Sequence, residues 1–267
     1  MNKMTRTISK SVAGILEGLE LDNKAYITLE EIAALAHKEG VLTDPSMIAS
    51  RLKQTGWLLP TSQRGVWEFS PAARAGAFSQ NDPLREIKAF QIANPDISCC
   101  LCLQTAAWAL GLADRVPYKK ELAFPEIPRR HIAKDIMTFR FKPTLEPKEV
   151  RGVPCLVPES IIVHLVVKPD QVKSWESVME WLPDVVYESD AEKIMLELVG
   201  RPASVYQRTG YLLQMMYPAA ADAIFEKTCP SSKIWFGPRQ TVLRNDEKWK
   251  IADSILPFSP KELEKVK

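Results

Sequence analysis

With 267 residues, the chain exceeds one typical domain, so two domains are the first expectation. A 46% hydrophobic and 25% charged composition is that of an ordinary globular protein, and a net charge of +2 excludes one that coats nucleic acid along its whole length. There is no apolar run of about 18 residues and no apolar core of signal-peptide length behind MNKMTRTISK, so a cytoplasmic protein without a membrane span is expected. The five Cys, an odd count, fit reduced thiols rather than a disulfide framework. Cys99, Cys100 and Cys102, in a chain with only three His, make a poor zinc set. Buried, inert thiols are the expectation, with no metal and no cofactor.

In chain order, Ile8, Val12, Ile15, Leu16 and Leu19 recur on one face of a first helix. Thr28-Leu-Glu-Glu31 is a capping box: the Thr oxygen accepts from the third backbone N–H while the Glu reaches back. It opens a short second helix that stops at Gly40. Asp44-Pro45 combines a strong N-cap with a residue suited to the first helical position, so a third helix spans residues 45–55 and Gly56 ends it. WLL and GVWEF then read as two short strands around the turn TSQRG. Helix, helix, helix and ribbon make a winged helix-turn-helix over residues 1–78, with Leu52, Trp57 and Leu59 expected in its core.

On a wheel of about 100° per residue, Ile48 and Leu52 fall together. Ser46, Ser50 and Gln54 lie opposite, flanked by Arg51 and Lys53. A helix with such a small, polar face fits a DNA major groove, with phosphate contacts from flanking bases and the wing. Winged helices also serve as protein-interaction modules. Residues 1–80 carry nine Lys/Arg against eight Asp/Glu, yet residues 44–74 hold four bases and two acids.

The polar stretch GAFSQNDP, residues 76–83, marks the boundary to a larger domain, 82–267. A helix follows Asp82-Pro83; SCCLCLQTAAWALGL holds a short buried strand and a helix; VPYKKELAFPEIP reads as an extended edge strand. IMTFRFKP alternates as a strand, and KEVRGVPCLVP forms a hairpin before a helix at Pro158. SIIVHLVV is nearly all apolar, a buried helix ahead of the alternative of a buried strand, and helices follow around 172–182, 194–199, 204–216 and 218–228, with extended pieces at KIWFG and KWKIA. The fold class is α+β. Phosphate-binding loops and GxSxG are missing, and His37, His131 and His164 are scattered. A nuclease reading through Asp184 fails because Glu192 and Lys193 are adjacent in a helical pattern, so no catalytic residue is expected. Arg201 and Arg208, seven apart, share one face if both are helical. They are binding candidates for acidic protein or phosphate, although from the spacing alone a solvated face is the stronger reading.

Taken together, LKQTGWLLPTSQRGVWEFSP, NDPLREIKAF, CLCLQTAAWALGL, RPASVYQRTGYLLQ and NDEKWKIADSILPF, in this order, resemble the AbiEi antitoxins of type IV abortive-infection toxin–antitoxin systems. One departure is Ala109-Leu110-Gly111-Leu112, where many members read His-Gly-Leu. The resemblance implies a phage-defence antitoxin with no catalytic centre. Its winged helix binds repeats, expected as inverted repeats, at its own promoter and represses it. Its C-terminal domain counters a neighbouring nucleotidyltransferase toxin, in a system class defined by the absence of a stable toxin–antitoxin complex. Ser46, Ser50, Arg51 and Gln54 are then expected to read bases, and Lys53, Gln63 and Arg64 to meet phosphate or the minor groove. Arg201 and Arg208 are candidates for the antitoxin function. The competing reading is a winged-helix transcription regulator with a ligand-sensing C-terminal domain.

Overall fold

The computed structural model describes residues 10–71 and 81–267; Ile8 and most of the expected boundary segment lie outside them. Contacts divide the chain into two compact units, Met1–Ile97 with Arg129–Lys134, and Ser98–Pro128 with Asp135–Lys267.

The first unit contains α1 (Lys10–Leu21), β1 (Tyr26–Thr28), α2 (Leu29–Lys38), α3 (Pro45–Gln54), β2 (Leu58–Pro60), β3 (Val66–Phe69) and α4 (Arg85–Ala93). The capping box forms as expected: Glu31 N donates to Thr28 Oγ1 at 3.2 Å and Thr28 N to Glu31 Oε2 at 2.7 Å. Both α2 and α3 end in a left-handed Gly. Gly40 donates to His37 O and Val41 to Ala36 O, and Gly56 donates to Lys53 O and Trp57 to Leu52 O. This pairing satisfies the last carbonyls of each helix. Val12, Ile15, Leu16, Leu19, Ile27, Ile32, Ile48, Leu52, Trp57, Leu58 and Phe69 close the core. Leu58 fills the place expected for Leu59, which is only half-buried. The ribbon is also wider than expected, because β1 pairs antiparallel with β3 to give the order β1-β3-β2. This succession is compatible with a winged helix-turn-helix.

In the second unit a five-stranded mixed sheet has the order β6-β5-β4-β8-β7. Its strands are β4 (Cys100–Leu101), β5 (Lys120–Phe124), β6 (Ile136–Arg140), β7 (Lys148–Val150) and β8 (Val153–Cys155), with α5 (Leu103–Ala109) following β4. β5 is not the expected edge strand: it pairs with β4 on one side and β6 on the other. Pro117, Pro125 and Pro128 flank KELAF instead of interrupting it, so each of its residues keeps an N–H for the ladder. The β7–β8 hairpin turns on Arg151 and Gly152, both at positive φ (55° and 75°), as a two-residue turn requires.

Next comes α6 (Pro158–Val167), buried from Glu159 to Val166. The helix expected over 172–182 is broken into α7 (Trp175–Met179) and α8 (Leu182–Glu188), because Pro183 cannot continue a helix but suits the first turn of a new one. Then follow α9 (Ala191–Leu198), α10 (Ala203–Leu213), α11 (Pro218–Thr228), β9 (Ile234–Phe236), β10 (Arg244–Asp246) and β11 (Ile251–Asp253), the three strands forming a small sheet in the order β10-β11-β9. The whole is mixed α+β.

α10 meets Trp249 at Gly210. Trp249 is fully buried and stands edge-to-face on Phe225 at 5.3 Å. A Cβ on Gly210 would fall inside the indole's van der Waals surface. Gly210→Ala is therefore expected to lower stability by about 2–3 kcal/mol through overpacking, read as a lower urea midpoint at unchanged m-value.

Candidate nucleic-acid interface

The outward side of α3 carries two rows at helical spacing. One is Ser46, Ser50 and Lys53; the other is Met47, Arg51 and Gln54. All six side chains are exposed, while Ile48, Ala49 and Leu52 point into the core. Asp44 caps the helix by accepting from Ser46 N at 2.7 Å and from the Ser46 hydroxyl. These bonds, the hydroxyl's first, hold the Asp44 carboxyl below its usual range.

Between α3 and the β2–β3 turn lies a cavity of about 300 Å³ lined by Leu29, Ser46, Ala49, Ser50, Lys53, Arg64, Gly65 and Trp67. The turn is fixed here by Gly65, at positive φ, whose carbonyl accepts from Leu29 N at 3.0 Å. Four of the residues expected from the sequence, Ser46, Ser50, Lys53 and Arg64, are thus brought to one concave surface. Arg51 and Gln54 are exposed on the adjoining row. Gln63 is different. It is buried, and its amide donates to His131 O at 3.2 Å and to Ser62 Oγ at 3.4 Å, so it cannot be the exposed tip contact that its position in TSQR implied. Turn alternation sends one of two neighbours inward, and here Arg64 takes the outward place. Met47 and Trp67 were not singled out from the sequence: Met47 is 60% exposed, and Trp67, which also packs against the core, lines the cavity.

Arg201 and Arg208 do not share a helical face, because α10 begins only at Ala203. Arg201 pairs with Glu197 at 2.7 Å, donates to Lys142 O at 2.6 Å and stacks over Phe141 at 4.5 Å. Arg208 donates to Trp235 O and to Val166 and Val167 O, carbonyls at the end of α6, where a cation complements the helix dipole. Burial lowers the Arg208 pKa. His164 is buried against Phe141, 4.3 Å between ring centroids, and desolvation with the Arg201 charge holds its pKa at about 3, so it is a neutral core ring. Among the cysteines, Cys99, Cys100, Cys102 and Cys155 are buried; desolvation pushes Cys100 and Cys155 up to about 12 and Cys102 well up, which keeps them as thiols. Among the described residues no group of three or more His, Cys, Asp and Glu is placed to hold a metal ion, and no helix is long and apolar enough to cross a membrane.

The second unit also holds a cavity of about 280 Å³ whose polar lining includes Gln104, Tyr118, Glu121, Lys173, Ser174 and Ser177. Glu121 accepts from Thr105 N at 3.1 Å, and its own N–H donates to Thr105 Oγ1 at 2.8 Å. Burial outweighs these bonds and raises its pKa to about 7.

Two outcomes follow from these side chains. Arg201→Ala leaves the Glu197 charge buried without its cation and is expected to cost about 3 kcal/mol, seen as a lower urea midpoint. For Glu121, a folded pKa of about 7 against 4.5 unfolded means the native state binds a proton that the unfolded state releases. Its contribution therefore declines as pH rises from about 4.5 to about 7 and is constant above. Glu121→Gln removes this term, so urea midpoints should show the variant gaining on the wild type between about pH 4.5 and about pH 7.

Residues 99–215 match the profile of the AbiEi antitoxin C-terminal domain. The fold is shared with the RV2827C protein from Mycobacterium tuberculosis, known from a crystal structure: TM-score 0.79 at 23% identity, covering 95% of this chain and 94% of that one. No curated protein sequence matches the chain. Residues 99–215 thus form an AbiEi-type antitoxin domain, and that domain supports an antitoxin's role in a toxin–antitoxin system.

Proposed function

We propose that this antitoxin is also a DNA-binding autorepressor. Residues 1–78 act as a winged helix-turn-helix on inverted repeats in its own promoter. Residues 82–267 act as the domain that neutralises a nucleotidyltransferase toxin, without catalysis, in the cytoplasm and in the service of phage defence. The observation that carries this reading is the cavity in which the small row of α3 (Ser46, Ser50, Lys53) faces Arg64 of the turn. Small side chains such as Ser46 and Ser50 let a helix approach base edges, and in this reading Lys53 and Arg64 meet the phosphates on either side. Among the described residues neither of these cations, nor Arg51, pairs with a carboxylate, so their charge is available to an external anion.

The second unit's cavity beside Glu121 favours a second reading, a regulator whose C-terminal domain senses a small polar ligand. The two readings separate on a variant that cannot bind DNA. An antitoxin of the first kind still rescues cells expressing the toxin encoded beside it; a sensor that works only through DNA loses all output.

Gel-shift titration on the promoter tests the docking. Arg51→Ala is expected to lose about 1–3 kcal/mol of discrimination, as for a bidentate Arg–guanine contact, while binding to unrelated duplex holds. Arg64→Ala should weaken binding to every sequence and lower the salt slope by about one. Unchanged promoter binding in both variants would sink this docking of helix and wing.

A further inference from the structure

The inward turn of Gln63 has a counterpart far along the chain. Its amide is bonded to the carbonyl of His131, in a segment that clusters with the first unit although it lies between two strands of the second unit's sheet. That segment, Arg129–Lys134, reads RRHIAK. Ala133 is buried and anchors it, whereas Arg129, Arg130, His131 and Lys134 are exposed. No acidic residue falls within it, and among the described residues none of its three full cations finds a carboxylate partner. Elsewhere the fold handles cations otherwise: Arg85 ends on Glu68, Lys88 on Asp82, Arg201 on Glu197 and Arg244 on Asp253.

We propose that the loop Arg129–Lys134 is a second phosphate-contacting element beside the wing, so that the DNA surface of this protein is built from two distant stretches of sequence. This rests on the DNA-binding reading above. Bringing unpaired like charges next to the turn that carries Arg64 is unfavourable by itself, and a buried side-chain amide is committed to holding them there. A polyanion running past the wing removes that repulsion and releases counterions. Arg and Lys at this density suit backbone contact more than base reading, because phosphates are met at every sequence. Gln63 then has a definite part. It is a positioning residue that ties the loop to the wing rather than a contact to DNA.

The test uses the full chain and fluorescence anisotropy with two labelled duplexes, one carrying the DNA upstream of its own reading frame and one scrambled at equal length. The triple variant Arg129→Gln, Arg130→Gln, Lys134→Gln is expected to bind both duplexes roughly tenfold or more weakly, with a salt slope lower by about three. Arg129→Gln and Arg130→Gln alone should each lower the slope by about one, which keeps the test open if the triple variant folds poorly. The double variant Arg129→Lys, Arg130→Lys keeps the charge and should keep wild-type slope and affinity. If the triple variant binds both duplexes with the wild-type slope while Arg51→Ala loses promoter preference, the loop proposal is wrong and the DNA reading stands. Unaltered DNA binding together with lost toxin neutralisation overturns it in favour of a protein partner at this loop. A wild-type chain that binds neither duplex overturns the DNA reading and this inference with it.

Discussion

The fully buried carboxylate of Glu197 fixes the centre of the second unit. It accepts from Thr144 N and Leu145 N in the connection after β6, from Ser160 Oγ on α6 and from Arg201 Nη2 ahead of α10. Removing an ion from water costs several kcal/mol, and only a near-complete shell of donors offsets that cost. The requirement is geometric as much as energetic, since a donor displaced by one ångström leaves charge uncovered. The sheet's outer connection, α6, α9 and the entry to α10 are therefore set relative to one another by one side chain on α9. Arg201 extends the arrangement: its guanidinium lies over Phe141, and Phe141 in turn stacks on His164. The neutrality of that imidazole is a consequence of the same burial and the same cation.

The first unit repeats this solution on a smaller scale, with a different result. Glu68 on β3 is 2% exposed and bonded to Arg85 Nε at 2.6 Å, and Arg85 also donates to Pro60 O. Its neighbour Glu86 accepts from Ser62 N at 2.7 Å. The start of α4 thus holds both strands of the ribbon and Ser62 of the turn between them. On that flank α4 secures the ribbon as a shaped edge. A free loop would have to be ordered on contact, and that ordering would subtract from affinity.

What could be read from the sequence divides along the same line. The capping box at Thr28, the Asp44-Pro45 start and the Gly56 stop were legible because each is completed within a few residues. The α3 rows were legible because periodicity alone sets them. The partners of Arg201, Arg208 and Gln63 were not, since they lie at Lys142, Trp235 and His131. The interior place of β5 is likewise decided by β6, outside its own stretch, and β1 is three residues long and merges into the cap of α2. The choice between Leu58 and Leu59 depends on which face of a three-residue strand meets the core, and a run of adjacent leucines carries no alternation to decide it.

These differences bear on how the two units use charge. Arg201, Arg208 and Arg244 all end on carbonyls or carboxylates of their own fold, and the buried thiols and His164 are held uncharged by desolvation. Arg51, Lys53 and Arg64 are exposed on the first unit, and beside them the chain places a loop of three further cations that belongs by sequence to the other half. Unpaired surface cations are individually unremarkable, since isolated surface pairs are worth little either way. Under the DNA-binding reading, the cations of α3, the turn and this loop are the charge that a phosphate backbone neutralises.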